Sequence, residues 1–235
     1  MATQVFQSWG RVLREPHEAL GLSSRHAPLP MPTGSGGTVL PFGNGRSYGD
    51  SNLNPGGALL LGAQLDRFID FDPATGVLRC EGGVLLHTIL KLIVPQGWFL
   101  PVTPGTQFVT VGGAIANDVH GKNHHLAGSF GNHVRCLELL RSDGTRRLCS
   151  PTEHTEWFDA TIGGLGLTGL ITWAEIQLKR VANPCMDSES IRFRSLEEFF
   201  ELTEDDAAFL FSGMSYDDGA VDHVSPTAGE VAARI

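Results

Sequence analysis

The stretch that most restricts the fold is "GGLGLTGLITWAEIQLKRV", residues 163 to 181. Leu170, Thr172, Ala174, Ile176 and Leu178 alternate with Glu175, Gln177 and Lys179. A period of two means a strand with one buried face. Just before it, Gly164, Gly166 and Gly169 have G-x-G-x-x-G spacing, but a dinucleotide turn of that kind must open a helix. A strand follows here, so the spacing does not make a Rossmann unit. No G-x-x-x-x-G-K-[ST] occurs either, which removes the phosphate loop of nucleotidases.

A half-buried strand needs neighbours, and the chain offers several. "RFIDFDPATGVLRCEGG" reads as two strands around a turn at Asp72, Pro73 and Gly76. "HVRCLELLRSDGTRRLCS" reads as a second hairpin turning at Asp143-Gly144, with Arg141, Arg146 and Arg147 as a solvated hairpin end. "TVLPFG" is a brief buried strand. Helical signals are a short run around Glu15 to Leu20, then "VLLHTILKLIVPQG", ended by Pro95 and Gly97. A third is "SLEEFFELTEDD", where Ser195 and Glu198 form a capping box. "APLPMPTGSGG" cannot be regular, and "SGMSYDDGAVDHVSPTAGEVAARI" shows no sustained period. Strands and helices alternate, so the class is mixed α and β.

The chain carries a net charge of -9, which disfavours nucleic acid or an anionic membrane as main partner. Cys80, Cys136, Cys149 and Cys185 form no C-x-x-C, so reduced thiols are expected. The N-terminus has no signal-peptide core, and "VLLHTILKLIV", broken by His87, Thr88 and Lys91, is too short to span a bilayer. A soluble, cytoplasmic protein is the expectation, with peripheral membrane contact still open.

Glycine makes up 29 of the 235 residues, well above the usual share of about 7%. Glycine at that level without a repeat points to loops that approach a ligand closely. "PFGNGRSYGDSN" leaves a strand with successive amides around Gly43, Gly45 and Gly49, suited to an anion nest or to an ordinary surface loop. Its Arg46 adds charge or pairs with Asp50. "VTVGGAIANDVHGKNHHLAGSFGNH", residues 109 to 133, combines glycines 112 and 113 with small side chains that leave room for a flat ligand. Its histidines are of metal-binding type, yet acids or thiolates in register are lacking, so no metal is expected. Structural roles fit His124, His125 and His133 better than chemistry.

Together, in this order and spacing, "GNGRSYGDSN", "TPGTQFVTVGGAIANDVHGKNHHLAGSFGNHV" and "GGLGLTGLI" resemble the FAD-binding half of the vanillyl-alcohol-oxidase type flavoenzymes, over residues 36 to 181. The resemblance implies an α+β fold: a two-lobed PCMH-type FAD-binding domain over 1–182, with lobes of about 1–75 and 76–182. Residues 183–235 would be the incomplete start of a substrate domain, since family members are nearly twice as long. The implied cofactor-binding residues are Pro41, Phe42, Gly43, Asn44, Gly45, Arg46, Ser47, Tyr48, Gly49 and Asp50 around the diphosphate. Gly105, Thr110, Val111, Gly112, Gly113, Asn117, Asp118, Val119 and His120 would line the flavin, with Ile171 at the adenine end. Many relatives attach FAD through a histidine in the first loop. None lies between Phe42 and Leu53, so the FAD is expected to be non-covalent.

The implied reaction oxidises a secondary hydroxyl of a sugar, a polyprenyl-phosphate pentose in the nearest relatives, with a separate short-chain reductase completing an epimerisation. His120 against the flavin and Lys122 towards the substrate are the implied catalytic residues. Two other readings stand beside this one: a non-catalytic FAD-binding or interaction module, and a histidine-metal hydrolase.

Overall fold

The structure is a computed structural model that describes residues 3–32, 37–182, 187–192, 194–204, 211–215 and 220–225. Cys185 and residues 33–36 of the proline-glycine stretch lie outside the described residues. Four strands, β1 (Thr3–Val5), β2 (Pro16–Gly21), β3 (Val39–Phe42) and β4 (Ala58–Leu61), form a first sheet in the order β1-β2-β4-β3. β4 runs parallel to both β2 and β3, while β1 is antiparallel to β2. Residues 16–21 are therefore a strand and not the expected helix. The pairing of Glu18 to Gly21 with Ala58 to Leu61 outweighs local preference, and it buries His17 and Leu20.

The second sheet contains β5 (Phe68–Asp72), β6 (Val77–Glu81), β8 (Val134–Leu140), β9 (Arg146–Cys149) and β10 (Leu170–Gln177). Its order is β5-β6-β10-β8-β9, antiparallel throughout. The alternating stretch thus becomes the middle strand, with Thr172, Ala174 and Ile176 fully buried. Both expected hairpins are present. The turn at residues 73–76 lies inside the second sheet, and residues 62–67 connect the first sheet to the second.

Helix α1 (Leu86–Ile93) packs Leu86, Ile89, Leu90 and Ile93 into the main core with Leu78, Leu137 and Ile176. It stops where Pro95 enters a short 3-10 turn and Gly97 takes a left-handed conformation. The two-stranded pair of β7 (Trp98–Phe99) and β11 (Lys179–Arg180) flanks it. Between β7 and β8 come two short helices, α2 (Val111–Ala116) and α3 (His124–Ala127), and α4 (Thr155–Thr161) follows β9. The residues around Arg141 are not a freely solvated end. The Arg141 and Arg147 guanidinium groups lie 4.3 and 5.1 Å from the Trp157 ring centre, and Arg146 pairs with Glu138 at 2.9 Å.

A smaller core of Leu20, Leu22, Ala58, Leu60 and Leu65 takes in Leu140 and Leu170 from the second sheet, joining the two. Glu81 adds a polar tie: its carboxylate accepts from the Arg67 backbone N–H at 3.0 Å and pairs with Arg25 at 3.4 Å. Beyond residue 186, β12 (Asp187–Arg192), α5 (Leu196–Glu204), β13 (Phe211–Ser215) and β14 (Ala220–Ser225) follow, the strands in the order β12-β14-β13. The expected cap is present, with the Glu198 N–H donating to Ser195 Oγ at 3.2 Å. The Glu198 carboxylate, however, accepts from the Arg194 N–H. The stretch read as unpatterned holds the β13–β14 pair. No helix among the described residues is long and apolar enough to cross a membrane.

Candidate functional site

A cleft of about 1150 Å³ is lined from both sheets, by Pro41 and Phe42 at the end of β3 and by Leu170 and Ile171 at the start of β10. Three segments complete it: the loop after β3, the segment from Thr103 to Thr110 leading into α2, and the segment from Asn117 to Lys122 after it. Glycine lets these backbones meet. A Cβ on Gly43 would lie 2.6 Å from Thr110 Oγ1, so the first loop and the start of α2 touch only because that position has no side chain. Thr110 in turn caps α2, accepting from the Gly113 N–H at 3.1 Å.

Of the expected cofactor residues, Pro41, Phe42, Gly43, Asn44, Gly45, Arg46, Ser47 and Tyr48 line the cleft, as do Gly105, Thr110, Gly112, Gly113, Asn117, Val119, His120 and Ile171. Lys122 lines it too. Gly49, Asp50, Val111 and Asp118 do not. Val111 is fully buried in the main core, because the first turn of α2 directs it inward. Asp118 has a positive φ of 41° and accepts from the Gly131 N–H at 2.9 Å, a role within the segment. Asp50 accepts from Ser8 Oγ at 2.7 Å, and no Arg46–Asp50 pair occurs among the described residues.

His124, expected to be structural, also lines the cleft, as do Trp9, Thr103, Thr106 and Leu165, which the sequence does not mark out. The threonines flank Gly105 in "VTPGT", a signal within reach. Trp9 sits in an unpatterned segment that gave none.

The histidines separate by role. His133 Nε2 donates to the Ala127 carbonyl at 2.8 Å, and His124 Nδ1 donates to the Gly121 carbonyl at 3.3 Å. These bonds hold the turn around α3. His120 is exposed in the cleft, its ring centre 5.5 Å from that of His124 and edge-on to it. Among the described residues, no group of three His, Cys, Asp or Glu side chains is arranged to hold a metal ion.

The cleft's charge stands out against the chain's. In a protein of net charge -9, its wall carries Arg46 and Lys122 and, among the described residues, not one carboxylate. Small-molecule sites commonly occupy about 300–1,000 Å³, so this one, slightly above that range, admits a large ligand. The walls are glycine-lined and apolar over much of their length, with backbone amides and two cationic side chains, surroundings that suit a long anionic ligand.

The structure and the sequence comparisons agree on the class. The profile of the FAD binding domain family matches residues 33–150, half of the chain, and the chain belongs to that family. It is an α+β flavoprotein domain whose cofactor is FAD. Among curated relatives, decaprenylphosphoryl-beta-D-ribose oxidase of Mycolicibacterium smegmatis is 37% identical over 222 residues, which cover 92% of this chain and 48% of that enzyme. Human delta(24)-sterol reductase is 30% identical over 110 residues, 47% of this chain and 21% of the reductase. Cytokinin dehydrogenase 9 of Oryza sativa subsp. japonica is 31% identical over 152 residues, 60% of this chain and 28% of the dehydrogenase. The chain spans about half the length, or less, of these relatives.

Proposed function

We propose that residues 1–182 bind FAD non-covalently in the cleft between the two sheets, and that they serve an oxidoreductase acting on a secondary hydroxyl of a sugar, of the polyprenyl-phosphate pentose class. The observation that carries this reading is the glycine-walled cleft, lined among the described residues by the two cations Arg46 and Lys122 and by no carboxylate. The substrate class rests on the similarity to decaprenylphosphoryl-beta-D-ribose oxidase. Because the match spans 48% of that enzyme, flavin binding is proposed of these residues and sugar oxidation of the whole protein, with residues 183–235 beginning its substrate domain.

The amides of the loop from Gly43 to Tyr48, with Arg46, would hold the diphosphate. Gly105, Gly112, Gly113, Asn117 and Val119 would lie along the ring system, and Ile171 would meet the adenine end by its main chain. When bound, FAD supplies the two-electron acceptor for the carbinol hydrogen of the sugar. His120 and Lys122 act by donating hydrogen bonds or positive charge where negative charge grows, His120 towards the ring and Lys122 towards the substrate oxygen. A short-chain reductase acting on the keto product would complete an epimerisation. A lipid-linked substrate suits a cytoplasmic protein that works at the inner membrane face.

The purified chain is expected to show a flavin spectrum, and acid precipitation should leave the yellow colour in the supernatant. Colour retained in the pellet would contradict non-covalent binding, and a colourless chain that does not take up added FAD would defeat the reading. Adding candidate sugars to the FAD-loaded whole protein separates the catalytic reading from a binding module, which would bind FAD without bleaching.

A further inference from the structure

The loop from Gly43 to Asp50 is not held by its own hydrogen bonds. Asn44 Nδ2 donates to the Phe108 carbonyl at 2.8 Å, and two further anchors come from an N-terminal arm that runs on from β1. The Trp9 N–H donates to the Ser47 carbonyl at 3.0 Å, and Ser8 Oγ donates to Asp50 Oδ1 at 2.7 Å. Ser8 is buried, only 3% exposed.

The fit is close as well as bonded. A Cβ on Gly45, whose φ is +64°, would lie 2.7 Å from the Gln7 carbonyl oxygen, and one on Gly10 would lie 3.0 Å from the Tyr48 carbonyl oxygen. The Trp9 and Tyr48 rings meet edge to face at 5.4 Å, and both line the cleft. After this contact the arm turns through Arg11, a non-glycine residue at φ +54°, a conformation kept only where surrounding contacts fix it. The whole arm lies ahead of the residues that the family profile matches.

We propose that this arm is part of the cofactor site, and that Ser8 acts through Asp50 as a positioning residue that holds the Gly43–Asp50 loop in the form that receives the FAD diphosphate. The inference rests on the reading that the cleft holds FAD. A glycine-rich loop loses much freedom on ordering, and amides bind an anion well only when already aligned. The arm supplies that alignment before the ligand arrives, so its loss shows in affinity more than in folding. Asp50, outside the cleft wall, thereby serves the cofactor without touching it.

The test is FAD titration of flavin-stripped full chain, read by flavin fluorescence, together with the melting temperature without FAD. S8A and D50A are each expected to weaken FAD about tenfold, the size of one lost charge-assisted hydrogen bond. The S8A/D50A double variant should be no weaker than either single, because both remove one contact. D50N, which keeps an acceptor for Ser8 without the charge, should bind more tightly than D50A and no better than wild type, and the FAD-free melting temperatures should stay close together. Wild-type affinity in S8A would overturn the proposal, as would additive losses in the double variant or a fall in affinity that merely tracks melting. A wild-type chain that binds no FAD would instead defeat the cofactor reading itself.

Discussion

At the scale of single residues, two positions show how little slack the junction between the sheets contains. Gly83 follows β6 and donates its N–H to the Leu65 carbonyl at 2.7 Å. A Cβ there would lie 2.2 Å from the Gly62 oxygen and 2.6 Å from the Leu65 oxygen, both backbone atoms that cannot swing aside. G83A is therefore expected to cost about 3 kcal/mol, measurable as a lowered denaturant midpoint. Within β6, one residue before its end, burial, with Glu81 beside it, pushes the Cys80 thiol up to about 12. An unfolded cysteine ionises near 8.5. The folded chain keeps this proton while the unfolded chain gives it up, so the stability contribution is complete below about pH 8.5 and falls as pH rises towards 12. Melting measured from pH 8 to 11 should decline more steeply for wild type than for C80A, and parallel curves would rule the effect out.

At the scale of elements, the contrast between legible and hidden structure follows from where the ordering forces lie. β10 was legible because its own side chains alternate, and α1 because four core residues recur at helical spacing and Pro95 ends it. β2 was not, because its strand character comes from β4, some forty residues away, and nothing in "PHEALG" records that partner. The β13–β14 pair was missed for a related reason: Ser, Gly and Asp interrupt any period there, and backbone pairing from Phe211↔Val224 to Ser215↔Ala220 makes the strands. The glycines that wall the cleft stand out in the sequence, whereas chain position does not distinguish a carboxylate that faces a ligand from one that fastens a loop, as Asp50 and Asp118 do. Helix α2 was hidden by its two glycines, both poor helix formers. It depends on its cap accordingly, so T110A should destabilise the protein by about 1 kcal/mol and T110S by less, compared by thermal melting.

On the scale of the whole molecule, the two sheets are joined by apolar contact through Leu140 and Leu170 and by the buried Glu81 carboxylate. Removing that carboxylate leaves the Arg67 N–H without its partner and Arg25 without its counter-charge. E81A should cost about 3 kcal/mol and, because the cleft is lined from both sheets, should weaken FAD as well; a stability loss with wild-type FAD affinity would show that the cleft tolerates movement between its walls. E81Q retains an acceptor and is expected to fall between the two.

The central place of β10 has a consequence for how the chain is made. Its neighbour β6 ends at Glu81 and β10 ends at Gln177, so a ribosome working at about 5–20 residues per second needs roughly 5 to 20 s to deliver the strand that closes the gap. During that interval the inner edge of the first hairpin, joined after Cys149 by that of the second, stands open to any extended peptide nearby. The safety of this protein in a crowded cell is thus decided during synthesis, by how quickly one late strand arrives between two waiting ones.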